Sequence, residues 1–99
     1  MSTAAMESAL EVTHNTSASR FEATVDGHLC VCVYRVYGKV MMLTHTGVPA
    51  ALRGRGIAAQ LVQAALEFAR GKGLKVRPDC SYAEAYIERH AETQDLLVE

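Results

Sequence analysis

The hydrophobic period of this chain changes at its midpoint, and that change limits what the chain can fold into. In the first half, Phe21, Ala23 and Val25 alternate with Glu22 and Thr24, the two-residue period of a half-buried strand. Asp26-Gly27 follows, a pair that tolerates the positive φ angles of a tight hairpin. Leu29 to Tyr37 is rich in Val, Cys and Tyr and is expected as a central strand buried on both faces. Gly38-Lys39 marks another turn, and Val40 to Thr46 reads as a further strand. Leu10 to His14 is one more strand candidate, ahead of the turn-forming cluster Asn15–Ser19. The first half is thus expected as an antiparallel β meander.

In the second half the period lengthens. Ile57, Ala58, Leu61, Val62, Ala65, Leu66 and Ala69 recur every three or four residues, with Gln60, Gln63, Glu67 and Arg70 on the opposite face. This predicts an amphipathic helix over residues 55–70, closed by Gly71 and Gly73. Leu74 to Val76 reads as a short strand stopped by Pro78. Ser81-x-x-Glu84 has the form of a capping box starting a helix at Tyr82 that runs to about Arg89. Asp95 to Val98 is a candidate for a last short element. The order β-β-β-β-α-β-α defines an α+β chain in which a helix must cover a sheet.

Size decides how much of this fits. A chain of 99 residues buries roughly 64% of its unfolded surface, enough for one small core and not two. Residues 1–8 are small and polar and are expected as a flexible terminus, leaving residues 9–98 as a single domain. Ten Lys and Arg against 11 Asp and Glu give a net charge of −1, no basis for a large nucleic-acid footprint. No stretch approaches the ~20 apolar residues of a membrane span, and the N-terminus lacks the basic and apolar regions of a signal peptide. Cys30, Cys32 and Cys80 form no CxxC pair, and Cys30 and Cys32 read as packed hydrophobes. His14, His28, His45 and His90 lack ligand spacing with each other or with cysteine, so no metal is expected. Reduced thiols without an export signal point to the cytoplasm.

The segment Pro49-Ala-Ala-Leu-Arg53-Gly54-Arg55-Gly56-Ile57-Ala58 joins a strand to the main helix. Two glycines two residues apart allow backbone N–H groups to converge on one point. The first helical turn adds unpaired donors and a partial positive charge, and Arg53 and Arg55 add fork-shaped donors suited to phosphate. This is the chemistry of a phosphate cradle. It is not a Walker A loop, since no Gly-Lys-Ser/Thr occurs, and it lacks the third glycine of a dinucleotide fingerprint. A plain turn leading into a helix is the competing reading of a lone GxG.

Arg53-x-x-Gly56-x-Ala58 resembles the R/Q-x-x-G-x-G/A signature of the GNAT acetyltransferase superfamily. More specifically, the chain resembles the minimal single-domain YjdJ-type branch of that superfamily. The segments that carry the likeness are His45-Thr46-x-Val48-Pro49, Leu52 to Ala58, Cys80-Ser81-Tyr82, Tyr86-Ile87-x-Arg89-His90 and Asp95-Leu96-Leu97. The resemblance covers roughly residues 10–97. Two positions depart from the branch. Gly47 stands where an acid often follows His-Thr, and Arg89-His90-Ala91-Glu92-Thr93 replaces an Arg-His-Pro-Glu-Tyr pattern.

The resemblance implies a mixed sheet flanked by helices that binds acetyl-CoA. Thr46, Val48, Arg53, Gly54, Arg55, Gly56, Ile57 and Ala58 would hold the cofactor, Leu43 to Val48 pairing with its pantetheine arm as an added strand does. A backbone N–H near Thr46 or Gly47 would polarise the thioester carbonyl. The candidate catalytic residues are Cys80, His45 and Tyr86. His45 has the pKa range of a base and equally suits a structural strand end. Cys80 precedes a helix N-terminus, which favours thiolate, and equally suits a packed thiol. Tyr86 suits a proton donor to the leaving sulfur, or a core aromatic.

Two functions follow. One is acetyl-CoA-dependent transfer of an acetyl group to a small-molecule or peptide amine, by direct attack or through acetyl-Cys80. The other is a non-catalytic acyl-CoA-binding or protein-interaction module. No nucleic-acid or membrane partner is expected, and a free sheet edge suits a monomer or a weak homodimer.

Overall fold

The computed structural model describes residues 10–98; the terminus 1–8 expected to be flexible lies outside the described residues. Five strands form one sheet in sequence order: β1 (Thr13–Asn15), β2 (Arg20–Val25), β3 (His28–Tyr37), β4 (Val40–Gly47) and β5 (Lys75–Pro78). The first four pair antiparallel and β5 joins β4 in parallel. Helix α1 (Ile57–Lys72) is the crossover, and α2 (Ser81–Arg89) follows β5. Short 3-10 turns cover Ala50–Leu52 and Ala91–Leu96.

Local chemistry sets these elements. Asp26 (φ 51°) and Gly27 (φ 79°) both take positive φ, the hairpin geometry their sequence suggested. Helix α1 ends not at Gly71 but at Gly73, whose φ of 71° leaves the helix. There Gly73 N–H donates to Arg70 O at 3.3 Å and Leu74 N–H to Ala69 O at 2.9 Å, closing the last carbonyls in a Schellman arrangement. The start of α2 differs from the capping box read at Ser81. Cys80 holds the extended backbone of an N-cap, and its sulfur, not the Ser81 hydroxyl, accepts the Ala83 N–H at 3.4 Å. Ser81 is already helical.

Ile57, Leu61, Val62, Ala65, Leu66 and Ala69 of α1 are buried against Phe21, Cys30, Cys32, Met41, Leu43 and Val76 of the sheet. A second difference concerns β3. Cys30, Cys32 and Tyr34 are buried, but Val31 and Val33 are only half-buried and Tyr37 is 81% exposed. Helices cover one face of the sheet, so a central position does not make β3 two-sided. The tail is pinned by Arg70, which grips Asp95 with two 2.9 Å bonds and Glu92 O with a third. This lets Val98 N–H reach Val76 O, and Leu97 forms a single parallel bridge to Val76.

Candidate functional site

The site begins with an irregularity in β4. Val33 pairs with His45 but Tyr34 pairs with Leu43, so Thr44 is an extra residue in the ladder, a β-bulge. Its hydroxyl donates to Val33 O at 3.3 Å. The bulge turns the end of β4 away from β5. Parallel pairing with β5 runs from Val40 to Leu43 and stops there. The Asp79 and Cys80 amides both close on Leu43 O at 3.0 Å. Beyond that carbonyl, Thr44–Gly47 continues to pair only with β3. The two strands therefore part, with one edge of β4 open.

A cleft of about 460 Å³ leads from this parting to the start of α1, lined by Thr46, Val48, Leu52, Arg53, Gly54, Gly56, Ile57, Ala58 and Tyr82. Its outer end is the loop. Gly54 (φ 84°) and Gly56 (φ 78°) hold left-handed conformations, and both line the cleft. Gly56 is the N-cap of α1, with no side-chain cap and no acid in the first turn. The first helical bond is Gln60 N–H to Gly56 O at 3.2 Å, so the Ile57, Ala58 and Ala59 amides have no carbonyl within the helix. This end of the cleft is built for an anion. Buried Leu52 anchors the turn before it, and Arg53 Nε donates to Val48 O at 3.4 Å.

The inner end of the cleft carries sulfur and hydroxyl groups. Thr46 Oγ1 lies 3.2 Å from Cys80 Sγ, across the parting of the strands. Thr46 is also in register with Cys32 on β3. Burial pushes the Cys32 thiol up to about 12, the Cys80 sulfur adds to that, and the Thr46 hydroxyl partly offsets it. Burial thus favours the neutral thiol at Cys32.

Of the eight residues expected to hold the cofactor, Thr46, Val48, Arg53, Gly54, Gly56, Ile57 and Ala58 line this cleft. Arg55 does not. Its guanidinium is paired at 2.9 Å with Asp26 in the β2–β3 turn. Cys80 stands at the inner end through Thr46. His45 is exposed, and strand alternation sends it to the opposite face of β4 from Thr46. Its ring sits beside Gly47, where an added Cβ would lie 3.0 Å from His45 Nε2. Tyr86 also lies apart from the cleft. It lines a smaller hollow of about 170 Å³ with Leu66, Glu67 and Arg70 of α1, stacked on His90 with ring centres 3.8 Å apart. Burial first, and then the negative charge of Glu92, push its phenol up.

Two lining residues escaped the sequence reading, Leu52 and Tyr82. Tyr82 and Tyr86 are four residues apart and share a helix face, a spacing that cannot say which one reaches the cleft. Tyr82 is in the first turn of α2, beside Cys80, and so is the one placed there.

The architecture now stands beside known proteins. A family model described as GCN5-related N-acetyl-transferase matches residues 20–96. The chain belongs to the GCN5-related N-acetyltransferase family. Protein NATD1 from Gallus gallus is 36% identical over 84 residues, covering 82% of this chain and 76% of that protein. Protein NATD1 from Danio rerio is 33% identical over 90 residues, covering 88% and 82%. Among solved structures, a GCN5-like protein from Staphylococcus aureus superposes with a TM-score of 0.73 at 30% identity, over 90% of this chain and 88% of that one. The GNAT-like fold implied by the motifs is therefore what the family match and the shared fold describe.

Proposed function

We propose that this chain is an acetyl-CoA-dependent N-acetyltransferase that moves an acetyl group to an amine on a small molecule or a peptide. One observation carries the reading: a single cleft joins an uncapped, acid-free helix N-terminus to the open edge of a bulged strand. The two ends suit the two ends of coenzyme A. Gly54, Gly56, Ile57 and Ala58 would hold the pyrophosphate with backbone donors. The open edge at Thr46–Val48 would pair with the amides of the pantetheine arm, bringing the thioester to Thr46, Cys80 and Tyr82.

Acetyl-CoA supplies the acyl group as a thioester. The amine nitrogen must lose its proton, bond to the carbonyl carbon and displace the thiolate, which then takes up a proton. A backbone N–H near Thr46 or Gly47 would stabilise charge on the carbonyl oxygen. Tyr82 is the hydroxyl at hand to protonate the departing sulfur, a role its neighbour Tyr86 is too deeply engaged with α1 to fill. His45 would serve as base to an amine arriving from the uncovered face of the sheet. Direct attack needs no covalent enzyme; an acetyl-Cys80 route uses the thiol that Thr46 and the Ala83 amide hold in place.

Calorimetry with coenzyme A, followed by an amine panel with acetyl-CoA, tests the proposal. Binding together with amine-dependent thiol release supports it. Binding without turnover on any amine replaces it with an acyl-CoA-binding module, and absence of binding overturns both. Intact-mass measurement after acetyl-CoA treatment separates the routes, since a Cys80→Ala variant that labels as well as wild type removes the cysteine from the reaction.

A further inference from the structure

Arg55 is held away from the cleft that its neighbours line. Gly54 and Gly56 on either side face into it, whereas the Arg55 side chain turns outward and meets Asp26 at 2.9 Å. Asp26 belongs to a different element, the β2–β3 hairpin, where its φ of 51° and that of Gly27 fix the turn. Among the ion pairs of the described residues, this is the one that involves the loop. Both side chains are more than half exposed, 52% for Arg55 and 66% for Asp26. An exposed pair of this kind is weak, whereas an arginine on a phosphate gains charge-assisted, fork-shaped bonds. The pair can therefore be exchanged for a better anion with little loss.

We propose that Arg55 is a specificity-determining residue for the outermost phosphate of the bound nucleotide, and that Asp26 is its resident counter-ion, which parks it at the cleft mouth and yields it when that phosphate arrives. The inference rests on the coenzyme A reading above. The pyrophosphate falls to the open first-turn amides beside the cleft, so the phosphate left for Arg55 is one outside the cleft. On coenzyme A that is the ribose 3′-phosphate. Asp26 and this phosphate compete for one guanidinium. The carboxylate thus lowers the affinity for coenzyme A and leaves the 3′-phosphate as the group that displaces it.

The test is calorimetry of coenzyme A and 3′-dephospho-coenzyme A against wild type, Asp26→Asn, Arg55→Gln and the double variant. Asparagine tolerates positive φ as aspartate does, so the turn is retained, and thermal melting checks it. Arg55→Gln is expected to weaken coenzyme A by about tenfold and to abolish its advantage over the dephospho form. Asp26→Asn is expected to tighten coenzyme A by about two- to fivefold, more at low salt, with little change for the dephospho form. In the Arg55→Gln background the Asp26 change should have no effect. Unchanged or weaker binding by folded Asp26→Asn overturns the proposal, as does an equal effect on both ligands or an effect that persists without Arg55. If wild type binds neither nucleotide, the cofactor reading itself fails. If wild type binds both equally, only the role given to Arg55 and Asp26 fails.

Discussion

Thr46 Oγ1 and Cys80 Sγ lie 3.2 Å apart across a strand pair whose last shared carbonyl is Leu43. The contact joins residues 34 positions apart at the point where β4 and β5 separate. It closes the inner end of the cleft with a hydroxyl and a thiol in place of a backbone ladder. The Ala83 amide donates to the same sulfur, and between the hydroxyl and the thiol either group can donate.

Removing that hydroxyl tests the contact directly. Thr46→Val keeps the shape of the side chain and its strand preference. Alkylation of Cys80 by iodoacetamide at fixed pH should slow by about three- to tenfold, the effect of one lost hydrogen bond. Cys30 and Cys32 are buried, so the fast-reacting thiol in intact-mass kinetics is Cys80. An unchanged rate would show that the hydroxyl does not donate to the sulfur.

Gly56 separates strain from binding. An added Cβ there meets nothing within 4 Å, but φ is 78°. Gly56→Ala and Gly56→Glu should therefore each lose about 1–2 kcal/mol of stability in denaturant unfolding, the glutamate somewhat less because a carboxylate suits a helix N-terminus. Their effects on coenzyme A should diverge: a modest weakening for alanine and complete loss for glutamate, which puts a negative charge where the phosphates would sit. Equal affinities in calorimetry would exclude this helix start as the anion site.

The two tyrosines of α2 give a paired comparison. Tyr82 lines the cleft and Tyr86 packs against α1. With any amine that supports turnover, Tyr82→Phe should lower kcat by about a hundredfold or more with little change in KM, the range of a lost general acid. Tyr86→Phe should leave both nearly unchanged. A larger loss at Tyr86 would reverse the assignment.

The first strand carries a pH-sensitive contact. The His14 ring stacks on Phe21 with centres 4.1 Å apart, sits edge-on to Phe68 and lies 2.6 Å from the Tyr34 hydroxyl. Burial lowers its pKa below the ordinary 6.5. The unfolded chain then binds the proton more readily than the folded one. The contribution of neutral His14 is complete above pH 6.5 and is lost as pH falls through the lowered folded value. Thermal melting from pH 8 to pH 5 should show a decline that is shallower in His14→Phe. Parallel curves for the two proteins would remove His14 as the cause.

Much of this fold was legible in the residues because it rests on local chemistry. The period of two in Phe21–Val25, the Asp26-Gly27 turn and the three- and four-residue spacing from Ile57 to Ala69 each state a backbone geometry and a buried face. The cradle was legible for the same reason, since glycines at 54 and 56 before an apolar helix permit positive φ and leave first-turn amides open. Where the reading went astray, long-range partners decided. Cys80 took the cap from Ser81 because its two-amide closure on Leu43 O, shared with Asp79, fixes its extended backbone. Val31 and Val33 stayed half-buried because the second layer lies on one side of the sheet.

By itself, then, the sequence determined the order of elements, the helix that covers the sheet and the loop suited to phosphate, all properties of residues close together in the chain. The tertiary structure decided which side chains meet. Parity along a strand is set from its partner, so one bulged residue, Thr44, sends Thr46 to the cleft and His45 to the other face. One helical turn separates Tyr82 in the cleft from Tyr86 against α1. Asp26 and Arg55, 29 residues apart, become partners only when a hairpin and a helix start are brought to the same end of the sheet. Spacing encodes a face, but only packing chooses what that face touches.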